Sequence, residues 1–229
     1  HFLSYNNDER CDFMKEYNKD KIFDIMETTQ CNYSNMMKRL SRKKKFSEFV
    51  VVFYSISLIV YPLTGEFFPC WFDAKLSNYF GIILSIVTLA YSLVNGSAKY
   101  AERIEGAEKV LNSVKTLKRK LTEKNCSSLK GNYDKLMEKA EYRDDVDFFR
   151  TVKQKCSELG IRWYKYKKEC KEMKDSMEYK KINNYLSEIF PFVQQCKIFF
   201  EFIWYSLVLV VPVVLFLICF LVFNSYFLL

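Results

Sequence analysis

An all-α membrane protein is the fold class that this sequence predicts. Three stretches of the 229-residue chain are nearly free of charge, while the rest is densely charged. Outside those stretches the apolar residues recur at alternating steps of three and four, the spacing of a buried helix face. No alternation of useful strand length appears. A mean hydropathy of −0.13 therefore averages two environments within one chain. With 6 Gly, 4 Pro and half of its residues apolar, the composition excludes a disordered or fibrous chain.

Four segments follow in order. Residues 1–45 form a polar N-terminal segment that ends in a basic run, Lys38, Arg39, Arg42, Lys43, Lys44 and Lys45. Residues 46–96 read as a transmembrane hairpin, since Phe46 to Leu63 carries one charge, Glu48, and Asn78 to Asn95 carries none. A spanning helix needs about 20 mostly apolar residues, with roughly 17 to 25 observed. The aromatic flanks Tyr61, Phe67, Phe68, Trp71, Phe72, Tyr79 and Phe80 suit the interfacial belt. Residues 97–197 form a basic helical domain, and residues 198–229 hold a third span without charge from Phe202 to Leu229. Pro212 does not exclude that span, because helix breakers are tolerated in membrane helices. Lys and Arg favour the cytoplasmic side. The basic run thus places the N-terminus inside, the short connecting loop outside, residues 97–197 inside and the C-terminus outside.

The whole of the chain's net charge of +8 falls in residues 97–197. Here Tyr100, Ala107, Val110, Val114, Leu117 and Leu121 keep a heptad rhythm. So do Phe149, Val152, Cys156, Leu159, Trp163, Tyr166, Cys170, Met173 and Met177. The pattern predicts two long helices, 98–124 and 145–180, packed as an antiparallel hairpin. A turn over Asn125 to Gly131 and a short helix Tyr133 to Ala140 lie between them, and Asp144 or Asp145 caps the second. At about 1.5 Å per residue the first would carry the membrane helix some 40 Å into the cytoplasm. Gly160 lies inside the second at a cost of about 1 kcal/mol relative to Ala, a place for a kink or a close approach. The seams close within one chain or between copies, and the bulk of Trp163, Tyr164 and Tyr166 favours the first.

The single histidine, His1, removes any His-based triad, Cys–His dyad or His-containing zinc site within one chain. Cysteines at 11, 31, 70, 126, 156, 170, 196 and 219 contain no C-x-x-C and mostly sit in helical patterns. They read as buried free thiols of a reducing compartment rather than as metal ligands. The group Arg143, Asp144, Asp145 and Asp147 reads as a helix N-terminus with capping acids, a cheaper account than metal-dependent catalysis. There is no phosphate-binding glycine loop and no nucleophile elbow. The chain is therefore not read as an enzyme, and nothing in it calls for a cofactor or a metal.

Two constellations remain. Ser85, Thr88, Ser92 and Asn95 form a polar stripe down the second span. Small hydroxyl residues let membrane helices pack closely, or they line a water-filled path in an oligomer. Glu48, one heptad before Ser55, either snorkels to the interface or rings a pore mouth. The second constellation is basic: Lys115, Lys118 and Arg119, with Lys120 and Lys124, then Arg162, Lys165, Lys167 and Lys168 interleaved with Trp163, Tyr164 and Tyr166. It is either a solvated helix face or a surface for a nucleotide, a nucleic-acid strand or a partner protein.

The runs YSNMMKRLSRKKKFSEFVVVFYSISLIVY and LSIVTLAYSLVNGSAKYAERIEGAEKVLNSVKTLKR resemble the SLATT domain, the SMODS and SLOG-associating two-transmembrane effector. YRDDVDFF at Tyr142–Phe149 is similar to the subgroup encoded beside reverse transcriptases. The third span departs from the two-span name. The resemblance implies an effector of the bacterial inner membrane in anti-phage defence by abortive infection. It would act as a homo-oligomer that forms or gates a pore in membrane lipid when a partner signals. That partner would be a nucleotidyltransferase, a nucleotide-binding module or a reverse transcriptase. An alternative is a non-conducting anchor that recruits such an enzyme to the bilayer.

Overall fold

A computed structural model describes residues 19–172 and 177–227; His1, Cys11 and Met173 lie outside the described residues. Every regular element among the described residues is helical. They are α1 (Lys19–Phe67), α2 (Ala74–Ser97), α3 (Tyr100–Lys120), a 3-10 turn Glu123–Asn125, α4 (Cys126–Glu138) and α5 (Asp145–Glu158). A second 3-10 turn, Trp163–Lys165, leads to α6 (Tyr166–Glu172), α7 (Met177–Glu188) and α8 (Pro191–Phe227). Three helices, beginning at Lys19, Ala74 and Pro191, are long and apolar enough to cross a membrane. The chain divides into two units, Ser41–Ala101 with Cys196–Leu229, and His1–Leu40 with Glu102–Gln195.

The membrane unit is an aromatic three-helix cluster. Phe68 N–H and Phe72 N–H close the end of α1 on the carbonyls of Thr64 and Phe68. Asp73 then starts α2 by accepting the Leu76 N–H at 2.9 Å. Val50, Tyr54, Tyr61, Phe72, Leu84 and Cys219 form the buried centre. Contacts to α8 advance together along both chains: Phe46 stacks on Tyr205, Tyr61 meets Phe216 edge-on, and Phe72 packs on Phe216 and Phe220. Within this unit α8 therefore runs parallel to α1 and antiparallel to α2.

Pro212 shapes this packing. It has no N–H, so the carbonyl four residues earlier, that of Val208, lacks its helical donor. The Tyr54 hydroxyl donates to that carbonyl at 2.8 Å, and the Tyr61 hydroxyl donates to the carbonyl of Pro212 itself. Tyr54→Phe should cost about 1–3 kcal/mol, the cost of a buried unpaired carbonyl. Pro212→Ala should remove most of that cost by restoring the helical donor. Thermal unfolding of the four chains of this cycle in detergent checks it.

The second unit begins with the stretch read from sequence as a polar segment. Ile22, Met26, Thr29, Tyr33, Met36 and Leu40 of α1 are all buried, at steps of four and three. The heptad residues Ala107, Val110, Val114 and Leu121 of the α3 segment are buried as well, as are Phe149, Val152, Cys156, Tyr166 and Cys170.

The two long helices expected here are shorter and interrupted. Lys99 adopts φ +47° and ends the membrane helix, so α3 is a separate helix of 21 residues. Asn125 bridges the end of α3 to the next element, its Oδ1 accepting the Thr122 N–H and its Nδ2 donating to the Lys120 carbonyl, both at 2.8 Å. As a result α4 starts at Cys126 and runs through Gly131, where a turn was expected. The helix expected over 145–180 stops at Glu158. Gly160 takes φ +70°, the Ile161 N–H reaches back to the Cys156 carbonyl at 2.7 Å, and the Gly160 N–H reaches Ser157 at 3.2 Å. This is a glycine-closed helix end with its characteristic pair of bonds. The glycine terminates the helix rather than kinking it. The heptad spacing persists because the following 3-10 turn returns Tyr166 and Cys170 to the buried side.

Candidate functional site

On α2 the inward seam is Ser77, Gly81 and Leu84, all buried, continued by half-buried Thr88, Tyr91 and Asn95. Ser85 and Ser92 lie outside it and are exposed, among the exposed Ile82, Ile86, Leu89 and Leu93. The polar stripe is thus split: Thr88 and Asn95 border the packed seam, while Ser85 and Ser92 face away from it. Thr88 donates to the Leu84 carbonyl and Ser55 to the Val51 carbonyl, each at 2.7 Å. Both hydroxyl protons are therefore spent on their own helix, leaving oxygens that can accept. Glu48 is exposed, 3.9 Å from Lys44 one turn earlier.

Several of the basic residues are engaged within the chain. Lys118 pairs with Glu27 of α1 at 3.0 Å and lies 4.2 Å above the Phe23 ring. Arg162 closes on Glu169, whose carboxylate also accepts the Arg162 backbone N–H, both at 2.7 Å. Those hydrogen bonds hold the Glu169 carboxyl below its ordinary range. Lys165 sits 5.9 Å from the Tyr164 ring centre, and Arg119, Lys167 and Lys168 are exposed, with Lys115 half-buried. Trp163 is half-buried, edge-on to Phe149 and tilted on Phe192, so its ring packs within the chain.

Sequence reasoning missed the most constrained polar contact. Arg39, read as one member of a basic run, is 7% exposed, and Asp147 is 0% exposed. Arg39 Nε donates to Asp147 Oδ1 at 2.9 Å and its second terminal nitrogen donates to Oδ2 at 2.8 Å, a two-pronged pair. Asp144 lies 3.7 Å from the same guanidinium and caps α5 by accepting the Val146 N–H. Thr151 donates to the Asp147 carbonyl, and Asn35 Nδ2 donates to the Thr151 hydroxyl at 3.0 Å. Asp147 of YRDDVDFF and the arginine of KRL therefore meet in a buried pair, 108 residues apart in sequence, with the exposed Asp144 at its edge.

Residues 14–219 match the sequence model of the SMODS and SLOG-associating 2TM effector domain family 5. The chain belongs to this SLATT family. No curated protein and no solved structure matches it. Membership makes the chain a two-transmembrane effector domain of defence systems and a membrane protein. The matched range extends into α8, so this SLATT chain carries a third membrane-length helix within its family region. Burial pushes the Cys156 thiol up to about 11 and raises Cys170 as well, so neither is a thiolate at neutral pH. Among the described residues no cluster of three His, Cys, Asp or Glu could hold a metal ion.

Proposed function

We propose that this SLATT chain acts in the bacterial inner membrane as a homo-oligomeric effector that opens a path through the bilayer when its basic unit receives a signal. The observation that carries this reading is the position of Ser85 and Ser92. They are exposed hydroxyls on a membrane-length helix, on a side that the chain's own packed seam leaves uncovered. In a ring of copies that side either meets the next protomer or lines water. The signal acts by binding the open form better than the closed one. The exposed Arg119, Lys167 and Lys168 favour a polyanion: a nucleotide, a nucleic-acid strand, or a reverse transcriptase or nucleotidyltransferase with its product. The basic run before the first span supports a cytoplasmic N-terminus, and the parallel course of α1 and α8 supports a C-terminus outside.

A non-conducting anchor is the second reading. It draws on the self-satisfied hydroxyls of Ser55 and Thr88 and on the ion pairs that occupy Lys118 and Arg162. Dye release from vesicles holding the full chain separates the two readings. The path reading expects release from a defined oligomer and its loss in Ser85→Leu/Ser92→Leu, with the oligomeric mass unchanged. Vesicles that stay tight after addition of the genomically adjacent enzyme and its product establish the anchor.

A further inference from the structure

A cavity of about 320 Å³ lies wholly within the unit built from the first part of α1 and residues 102–195. That volume is at the small end of the range for small-molecule sites. Its walls include five aromatic residues, Tyr33, Tyr133, Tyr142, Phe148 and Tyr185. Two of the tyrosine hydroxyls are already engaged. Tyr33 donates to the Glu141 carbonyl at 2.9 Å, and Tyr133 shares a 2.8 Å hydrogen bond with Thr29. Their rings remain to face an occupant.

Two polar side chains in the lining are unmatched. Asn32 is 3% exposed, and its Oδ1 has no hydrogen-bond partner. Arg143 stacks with its guanidinium carbon 4.0 Å from the Phe148 ring centre, and its first terminal nitrogen is buried without a partner. Folded proteins rarely bury such atoms unsatisfied. The Glu141 carboxylate in the same lining is taken up by Arg103, at 2.9 Å from its Nε. The residues that carry this unmatched acceptor and this guanidinium line one space together with several aromatic rings.

We propose that this cavity binds a small planar ligand with an N–H edge for Asn32 and one anionic group for Arg143, the chemistry of a nucleoside monophosphate. A ring slots between the aromatic walls, the Asn32 amide oxygen accepts from its edge, and Arg143 donates to the anion. The site stands apart from the pore reading, since binding here requires no leakage of the bilayer.

The full chain in detergent is titrated calorimetrically with AMP, GMP, CMP and UMP, with the matching nucleosides, and with inorganic phosphate. The expected result is saturation by at least one nucleotide at one per chain. The nucleoside and phosphate alone should bind at least tenfold more weakly. Asn32→Leu and Arg143→Gln should each weaken binding roughly tenfold or more. Hydrogen exchange of the unmodified chain should slow over residues 25–33 and 137–148 when that nucleotide is added. This readout decides the matter if either variant fails to fold. The proposal is overturned if none of the four saturates below about 1 mM, if both substitutions leave binding intact, or if exchange slows only elsewhere. Any of these results leaves ordered water as the occupant.

Discussion

Arg39→Leu should lower the stability of the chain by about 3–5 kcal/mol, because it strands the fully buried Asp147 carboxylate without its partner. Asp144, 3.7 Å from the same guanidinium, would also lose its nearest positive charge. Arg39→Lys should recover only part of the loss, since an ammonium cannot span both carboxylate oxygens as the guanidinium does. The double variant Arg39→Leu/Asp147→Leu should recover most of the loss, because no charge then stays buried without its partner and the half-exposed Asp144 keeps its water. Urea unfolding of the full chain in detergent, followed by circular dichroism, measures the cycle. A single variant that costs less than about 1 kcal/mol would show that the pair is solvated, contrary to its burial.

The second large effect belongs to Gly65→Val. A Cβ at Gly65 would stand 3.0 Å from the Ala74 Cα and 3.0 Å from the Ser77 Cβ, where the end of α1 meets the start of α2. The first of those atoms is backbone, so relief requires the two helices to separate. Overpacking of this kind costs typically 1–3 kcal/mol for added methylenes, and a branched side chain belongs at the upper end. Gly81 is the control. A Cβ there would meet Pro62 at an ordinary 3.6 Å, and Gly81→Ala should be silent. Thermal unfolding midpoints of the two variants should differ by several degrees, and equal midpoints would refute the close approach at Gly65.

Much of this architecture was legible before any coordinates. Charge-free length located the membrane-length helices, and Asp144 or Asp145 was readable as a cap because an acid before an apolar-periodic run has few other uses; the role falls to Asp144. What escaped had physical reasons. Arg39 stands in a run of six bases, where charge density masks the one member that turns inward. Yet the run of Ile22, Met26, Thr29, Tyr33, Met36 and Leu40, at helical spacing, was there to be read as a buried face. The end of α5 was hidden for the opposite reason. The heptad rhythm continues across Gly160, and periodicity cannot report a break that preserves the buried side. At the membrane, the split of the polar stripe depends on which side of α2 packs inside the three-helix cluster, as Ser77 does against Gly65 and Gly81 against Pro62. The cavity depends on Asn32 and Arg143, brought together from distant parts of the chain, and no local pattern encodes that meeting.

The Arg39–Asp147 pair also dictates an order of events during synthesis. Asp147 leaves the ribosome 108 residues after Arg39, a delay of about 5 to 20 s at an elongation rate of about 5 to 20 residues per second. Both helices of the membrane hairpin emerge within that interval. The bilayer must therefore receive the hairpin while the inward face of residues 19–40, with Met26, Tyr33, Met36 and a charged Arg39, still has nothing to close upon. The hairpin of α1 and α2 is inserted first, ahead of α8, and the part that buries Arg39 is completed on an already anchored chain.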